Sequence, residues 1–180
     1  MREISLHIID LVENSIAAGA TKVRIRIDQD HASDFLRITV EDDGPGLCVD
    51  DATAVDPFYT TKGDKVTGLG LSLLRAEAQR SGGELVLGRS AFGGLSATAT
   101  FRISHIDRHP LGDLACSVAA VACVNPFAVI ECEITVDGRK VIARARNRIH
   151  PGERHPSGWE TYGDLHRQID AGMQMLGATQ

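Results

Sequence analysis

Apolar residues recur along the chain with two different periods, and the switches between them mark out the elements. Over residues 3–18, Ile4, Ile8, Leu11, Val12 and Ile16 fall on one side of a 3.6-residue repeat, which predicts an amphipathic helix. His7, Asp10 and Asn14 recur on another face at spacings of three and four. Val23, Ile25 and Ile27 then alternate with Lys22, Arg24, Arg26 and Asp28, and Leu36, Ile38 and Val40 with Arg37, Thr39 and Glu41. Alternation with period two predicts two half-buried strands.

From Gly44 to Gly70 the pattern dissolves into glycine, aspartate, threonine and proline. A loop of that length inside a compact domain is unusual and is often functional. Leu71 to about Gln79 reads as a helix, stopped at Ser81-Gly82-Gly83, and Glu84–Leu87 and Thr98–Ile103 read as two further strands. The order helix, strand, strand, loop, helix, strand, strand predicts an α+β fold with neighbouring antiparallel strands.

After His105 the character changes. An apolar-faced helix is expected from near Pro110, followed by strands over Val129–Val136 and Lys140–Ala145 around the hairpin signal Asp137-Gly138. Tyr162, Leu165, Ile169, Met173 and Leu176 carry a last amphipathic helix. The expected division is 1–104 as one domain and 105–180 as a small α+β appendage for interaction or dimerisation.

Composition narrows the partners more than the fold. The 180 residues are 43% hydrophobic and 24% charged, as in ordinary globular proteins, with a net charge of −5. That sign argues against general nucleic-acid binding but leaves room for a single nucleotide. Neither a membrane span nor a signal peptide is recognisable. The four cysteines form no C-x-x-C pair and read as reduced thiols, so a cytoplasmic setting is expected. His105, Asp107, His109 and Asp113 read as solvated linker residues, and the basic residues between Arg139 and Arg148 as the wet face of a hairpin.

Four features carry candidate chemistry. Four-residue spacing stacks Asp10 and Asn14 on one helix face, where a carboxylate and an amide oxygen could position water and hold a hard cation such as magnesium. In Glu41–Gly46 a strand runs into Asp43, Gly44, Pro45 and Gly46; an aspartate at a strand end can accept from an exocyclic amine, although the same residues also suit a plain turn. Thr67-Gly68-Leu69-Gly70-Leu71 leads glycines into a helix N-terminus, which favours phosphate. The intervening loop contributes Asp56-Pro57-Phe58-Tyr59-Thr60-Thr61-Lys62, whose lysine could reach a phosphate.

These motifs resemble, in order, the N box, G1 box, lid and G2 box of the GHKL (histidine-kinase-like) ATPases. Asp10 with Asn14 resembles the first, Asp43 with Gly44 and Gly46 the second, and Gly68-Leu69-Gly70-Leu71 the last, while Phe58, Thr61 and Lys62 resemble the lid region of sensor kinases. The stretch Asp10–Thr21 is also similar to mismatch-repair ATPases. The resemblance spans about residues 1–103 and implies a Bergerat-type two-layer sandwich, a mixed and mainly antiparallel sheet with helices on one face. It implies ATP and Mg2+ as ligands, with Asn14 on the metal, Asp43 on the adenine amine, and the glycines shaping the pocket and closing the lid.

Two positions depart from the family pattern. Hydrolases of this type usually carry glutamate four residues before the asparagine; here Asp10 stands there, with Glu13 as the second candidate base. Kinases of this type often have Gly-Thr where this chain has Gly94-Leu95, so the hydroxyl that supports the adenine aspartate is expected from Ser96 or Thr98. No phosphoacceptor helix pair is expected ahead of Asp10, so the expectation is ATP hydrolysis or phosphorylation of a partner in trans. An ATP-gated regulatory module of the anti-sigma type is the alternative, and a homodimer or a protein partner is expected.

Overall fold

The computed structural model describes residues 3–47, 51–54, 69–145 and 158–178. In chain order the elements are α1 (Ile4–Ala17), β1 (Lys22–Asp30), β2 (Phe35–Asp42), α2 (Asp51–Ala54), α3 (Leu69–Arg80), β3 (Leu85–Arg89), β4 (Leu95–Arg102), α4 (Leu114–Val124), β5 (Val129–Val136), β6 (Arg139–Arg144) and α5 (Gly158–Leu176). The strands form one sheet in the order β3-β4-β2-β1-β5-β6. Among the described residues β1 and β5 run parallel, and the other four pairings are antiparallel.

The alternation read from the sequence decides which face of the sheet is covered. Val23, Ile25 and Ile27 of β1 lie beside Leu36, Ile38 and Val40 of β2 and beside Ile130, Cys132 and Ile134 of β5, all buried. The helices pack on this face: α1 on β1 and β2, α3 on β3 and β4, and α4 and α5 on β5 and β6. α1 buries Ile4, Ile8, Leu11 and Val12 there. At about 1.5–3 kcal/mol per large side chain, that stripe supplies much of what holds α1 in place. The opposite face carries paired charges, among them Arg24–Glu131 at 2.7 Å and Arg26–Glu41 at 3.1 Å. The α+β fold with a mainly antiparallel sheet and helices on one face is therefore the observed one.

The C-terminal segment does not stand apart from this sheet. β5 pairs with the free side of β1 from Lys22↔Val129 to Gln29↔Val136, and β6 then forms the edge. The boundary expected near residue 104 thus lies between strands of one sheet. Asp137 and Gly138 both adopt positive φ (49° and 81°), the turn that the Asp-Gly pair requires. α4 starts at Leu114 rather than near Pro110, because the Asp113 carboxylate caps it by accepting the Cys116 N–H at 2.8 Å. Lys140 and Arg144 pair with Glu133 and Glu131, so these two cations are neutralised in place.

Candidate nucleotide site

The site-forming end of the sheet is where β2 leaves it and α1 ends. Strand alternation carries the inward row Leu36, Ile38, Val40 on to Asp42, which is 4% exposed. Its carboxylate is held by three donors. The Ser15 hydroxyl donates to Oδ2 at 2.6 Å, and the Gly44 and Leu95 backbone N–H groups donate to Oδ1 at 2.9 and 3.0 Å. Ser15 continues the buried stripe of α1, so the helix that packs on the sheet also delivers the hydroxyl. The supporting hydroxyl is thus that of Ser15 and not one from Ser96 or Thr98; Thr98 bonds Thr39 at 3.2 Å.

Gly94 completes this cradle by having no side chain. A Cβ there would lie 2.2 Å from Asp42 Oδ1, 2.6 Å from the Gly44 nitrogen and 2.7 Å from the Asp42 carbonyl oxygen. The start of β4 therefore presses directly on the end of β2, and the Gly94 N–H donates to the Asp42 carbonyl at 3.2 Å.

Asp43, the aspartate expected to read an adenine amine, points elsewhere. It is exposed, and its carboxylate accepts the Thr21 and Lys22 N–H groups at 2.8 Å each and the Thr21 hydroxyl at 2.7 Å. Burial raises its pKa, but these donors outweigh burial and hold it below the usual carboxylate value. Asp43 ties the start of β1 to the end of β2. Asp42, by contrast, stands at the first position of Asp-x-Gly-x-Gly counted back from Gly44 and Gly46, and it continues the period-two inward row of β2.

The other wall is made by α1 and α3. Asp10 is half-buried, whereas Asn14 and Glu13 are exposed. A Cβ placed on Gly70 would sit 3.3 Å from Asn14 Nδ2 and 3.5 Å from Asp10 Cβ, so the first turn of α3 lies against the Asp10–Asn14 stripe. Leu69 begins α3 and Leu71 is half-buried against the core. The structure thus brings Asp10, Asn14 and Gly70 together at the first turn of α3, with Gly44 and Gly46 beside the Asp42 cradle; Glu13 is one residue round the helix. Phe58, Thr61, Lys62 and Gly68 lie outside the described residues.

The comparisons bear directly on this arrangement. Residues 2–108 match the family model for the histidine kinase-, DNA gyrase B- and HSP90-like ATPases. The chain belongs to that family. This histidine-kinase-like ATPase is 35% identical over 88 residues to the sensor protein kinase CarS of Pseudomonas aeruginosa, covering 48% of the chain and 19% of CarS. It is 33% identical over 92 residues to the sensor histidine kinase CpxA of Escherichia coli K12, covering 48% of the chain and 20% of CpxA. The matched part is thus about a fifth of each curated relative. A crystal structure of the N-terminal domain of a DNA repair protein superposes with a TM-score of 0.53 at 14% identity, covering 92% of the chain and 57% of that structure. That likeness concerns the fold and includes the β5–α5 part of the histidine-kinase-like ATPase.

Beyond the site, Asp107 and Asp113 are exposed, as their solvated reading expects, whereas the two histidines between Ser104 and Pro110 are partly covered. His109 is half-buried, with its Nδ1 3.1 Å from Glu77 Oε2, while His105 lies 4.0 Å from Asp107. Among the described residues no group of three or more His, Cys, Asp or Glu side chains could hold a metal ion. No helix among them is long and apolar enough to cross a membrane.

Proposed function

We propose that the chain binds Mg2+-ATP across the gap between the β2 end and the facing parts of α1 and α3. It would use the nucleotide for slow hydrolysis or for transfer of the γ-phosphoryl group to a protein partner. The observation that carries this reading is the Asp42 cradle. Its carboxylate sits at a strand end, oriented by Ser15, Gly44 and Leu95, at the end of the sheet where α1 also presents Asn14. Asp42, rather than Asp43, is the acceptor for an adenine amine in this proposal, because it lies on the buried inward row of β2 beside Ser15 of α1, whereas Asp43 is exposed and ties β1 to β2.

Asn14 and Asp10 supply an amide oxygen and a carboxylate oxygen, hard donors of the kind magnesium prefers. When bound, the ion would neutralise phosphate charge, and the first turn of α3 beside them adds backbone N–H groups and a favourable dipole for the phosphates. The chain's own contribution is thus positioning and electrostatic stabilisation, which phosphoryl transfer needs most. Phe58, Thr61, Lys62 and Gly68 are proposed to line the same nucleotide from the lid.

A second reading, an ATP-gated module with little turnover, is favoured by the acid pair. Asp10 is shorter than the glutamate it replaces, and Glu13 lies about 100° round the helix from Asn14. Titration with Mg2+-ATP separates the assignments. Asp42→Asn and Asn14→Ala are expected to abolish saturable binding, while Asp43→Asn keeps it. Binding unaffected by Asp42→Asn would overturn the adenine assignment. Release of phosphate or label transfer to a co-purifying protein distinguishes the enzyme from the gated module.

A further inference from the structure

α1 has no side-chain cap at its N-terminus. Its first N–H groups are satisfied instead from the segment after β4: Ile4 donates to the Pro110 carbonyl at 3.0 Å and Ser5 to the Leu111 carbonyl at 2.8 Å. Leu111 is fully buried, and Gly112 passes so close to Glu3 that a Cβ would fall 2.3 Å from Glu3 Oε2. One residue earlier the same segment grips α3. The His109 N–H donates to Glu77 Oε1 at 3.1 Å, and the imidazole Nδ1 faces Glu77 Oε2 at 3.1 Å.

Glu77 is 4% exposed and joins the segment to α3. Arg80 pairs with it from α3 and His109 from the segment, and its charge also acts on His7 of α1. Arg108 stiffens the segment by donating to the Ile103 and His109 carbonyls at 3.0 and 3.2 Å. Burial lowers the pKa of His7, with the Glu77 charge only partly offsetting it, and its Nδ1 has no hydrogen-bond partner among the described residues.

The two gripped helices are the two that carry Asn14 and Gly70. From Glu77 to Gly70 is seven residues, about 10 Å of helix, and from Ile4 to Asn14 ten residues, about 15 Å. A helix held at one end moves at the other as a rigid rod.

We infer that residues 109–111 form a strap that sets the spacing of α1 and α3, with Glu77 as a positioning residue for the phosphate side of the nucleotide site. The strap leads directly into α4. Its positioning role rests on the nucleotide reading above and deepens it. Asp42, at the adenine end, is held by the Gly44 and Leu95 N–H groups as well as by Ser15 of α1, so a shift of α1 and α3 weakens that end less than the phosphate end.

The test measures Mg2+-ATP and adenosine affinity for the full chain and for His109→Ala, Glu77→Gln and, as a control, the fully exposed linker side-chain change Ile106→Ala. Allosteric couplings commonly amount to 5-fold or more, so ATP affinity is expected to fall by about 5-fold or more in the first two variants. Adenosine affinity should fall by clearly less, and both affinities should stay put in the control. Equal losses for the two ligands, or none, would overturn the strap, whereas an unmodified chain that fails to bind ATP overturns the nucleotide reading itself. Should the variants not fold, hydrogen exchange on the unmodified chain decides. Mg2+-ATP is expected to slow exchange at Ile4, Ser5 and His109, and unchanged rates there would refute the coupling.

Discussion

Replacing Ser15 with alanine removes a single hydroxyl from the interior and leaves α1 intact. That hydroxyl lies 2.6 Å from Asp42 Oδ2 in a site where Asp42 is 4% and Ser15 7% exposed. A hydrogen bond to a charged group contributes about 1.5–3 kcal/mol, and its loss leaves a buried carboxylate oxygen short of a donor. Alanine returns up to about 0.5 kcal/mol through its better helix propensity. The net expected destabilisation is about 1–2.5 kcal/mol. For a chain of this length 1 kcal/mol corresponds to about 2–4 °C, so the melting midpoint should fall by about 2–10 °C. Thermal unfolding followed by circular dichroism without nucleotide measures this directly. The pair can be isolated with Asp42→Asn and the double variant, where neighbours in contact are expected to couple by about 0.5–3 kcal/mol. A midpoint equal to or above that of the unmodified chain, or strict additivity in the cycle, would refute the claim that Ser15 orients Asp42. Titration of Ser15→Ala with Mg2+-ATP then asks whether a loosened Asp42 costs affinity, as the adenine assignment requires.

Gly94→Ala should act at the same place by crowding: with backbone atoms 2.6 and 2.7 Å from the new Cβ, overpacking is expected to cost about 1–3 kcal/mol and to lower nucleotide affinity, read by denaturant unfolding and titration. An alanine variant as stable as the parent would show that β4 and β2 can part at no cost. Because burial lowers the pKa of His7 below its ordinary 6.5, the unfolded chain takes up this proton first as pH falls. Stability contributed by neutral His7 is therefore complete above pH 6.5 and declines below it; His7→Leu should flatten that part of the stability–pH curve, and an unchanged slope would sink the assignment. Burial also pushes the Cys132 thiol up to about 12, so iodoacetamide at pH 8 should modify the half-buried Cys116 and Cys123 before Cys132, which reacts only on denaturation. Mass spectrometry of the alkylated peptides checks the order.

Local periodicity carried a great deal here. The helix over Ile4–Ala17, both strands of the first hairpin, the Asp137-Gly138 turn and the Asp10–Asn14 stripe follow from spacings of two, three and four residues, because neighbours in sequence decide whether one face of an element is apolar. The row Leu36, Ile38, Val40 continues to Asp42, whereas Asp43 is the aspartate singled out from the sequence. Other features depend on residues far apart in the chain. Nothing near Asp42 in the sequence reveals that its hydroxyl partner is Ser15, that Gly94 must leave room for it, or that Pro110 and Leu111 cap the first helix. Nor does the change of character after His105 reveal that β5 lies along β1 in the same sheet. Periodicity states which faces must be buried; only the packed sheet and helices determine what each face is buried against, because those contacts join parts of the chain that approach one another only on folding.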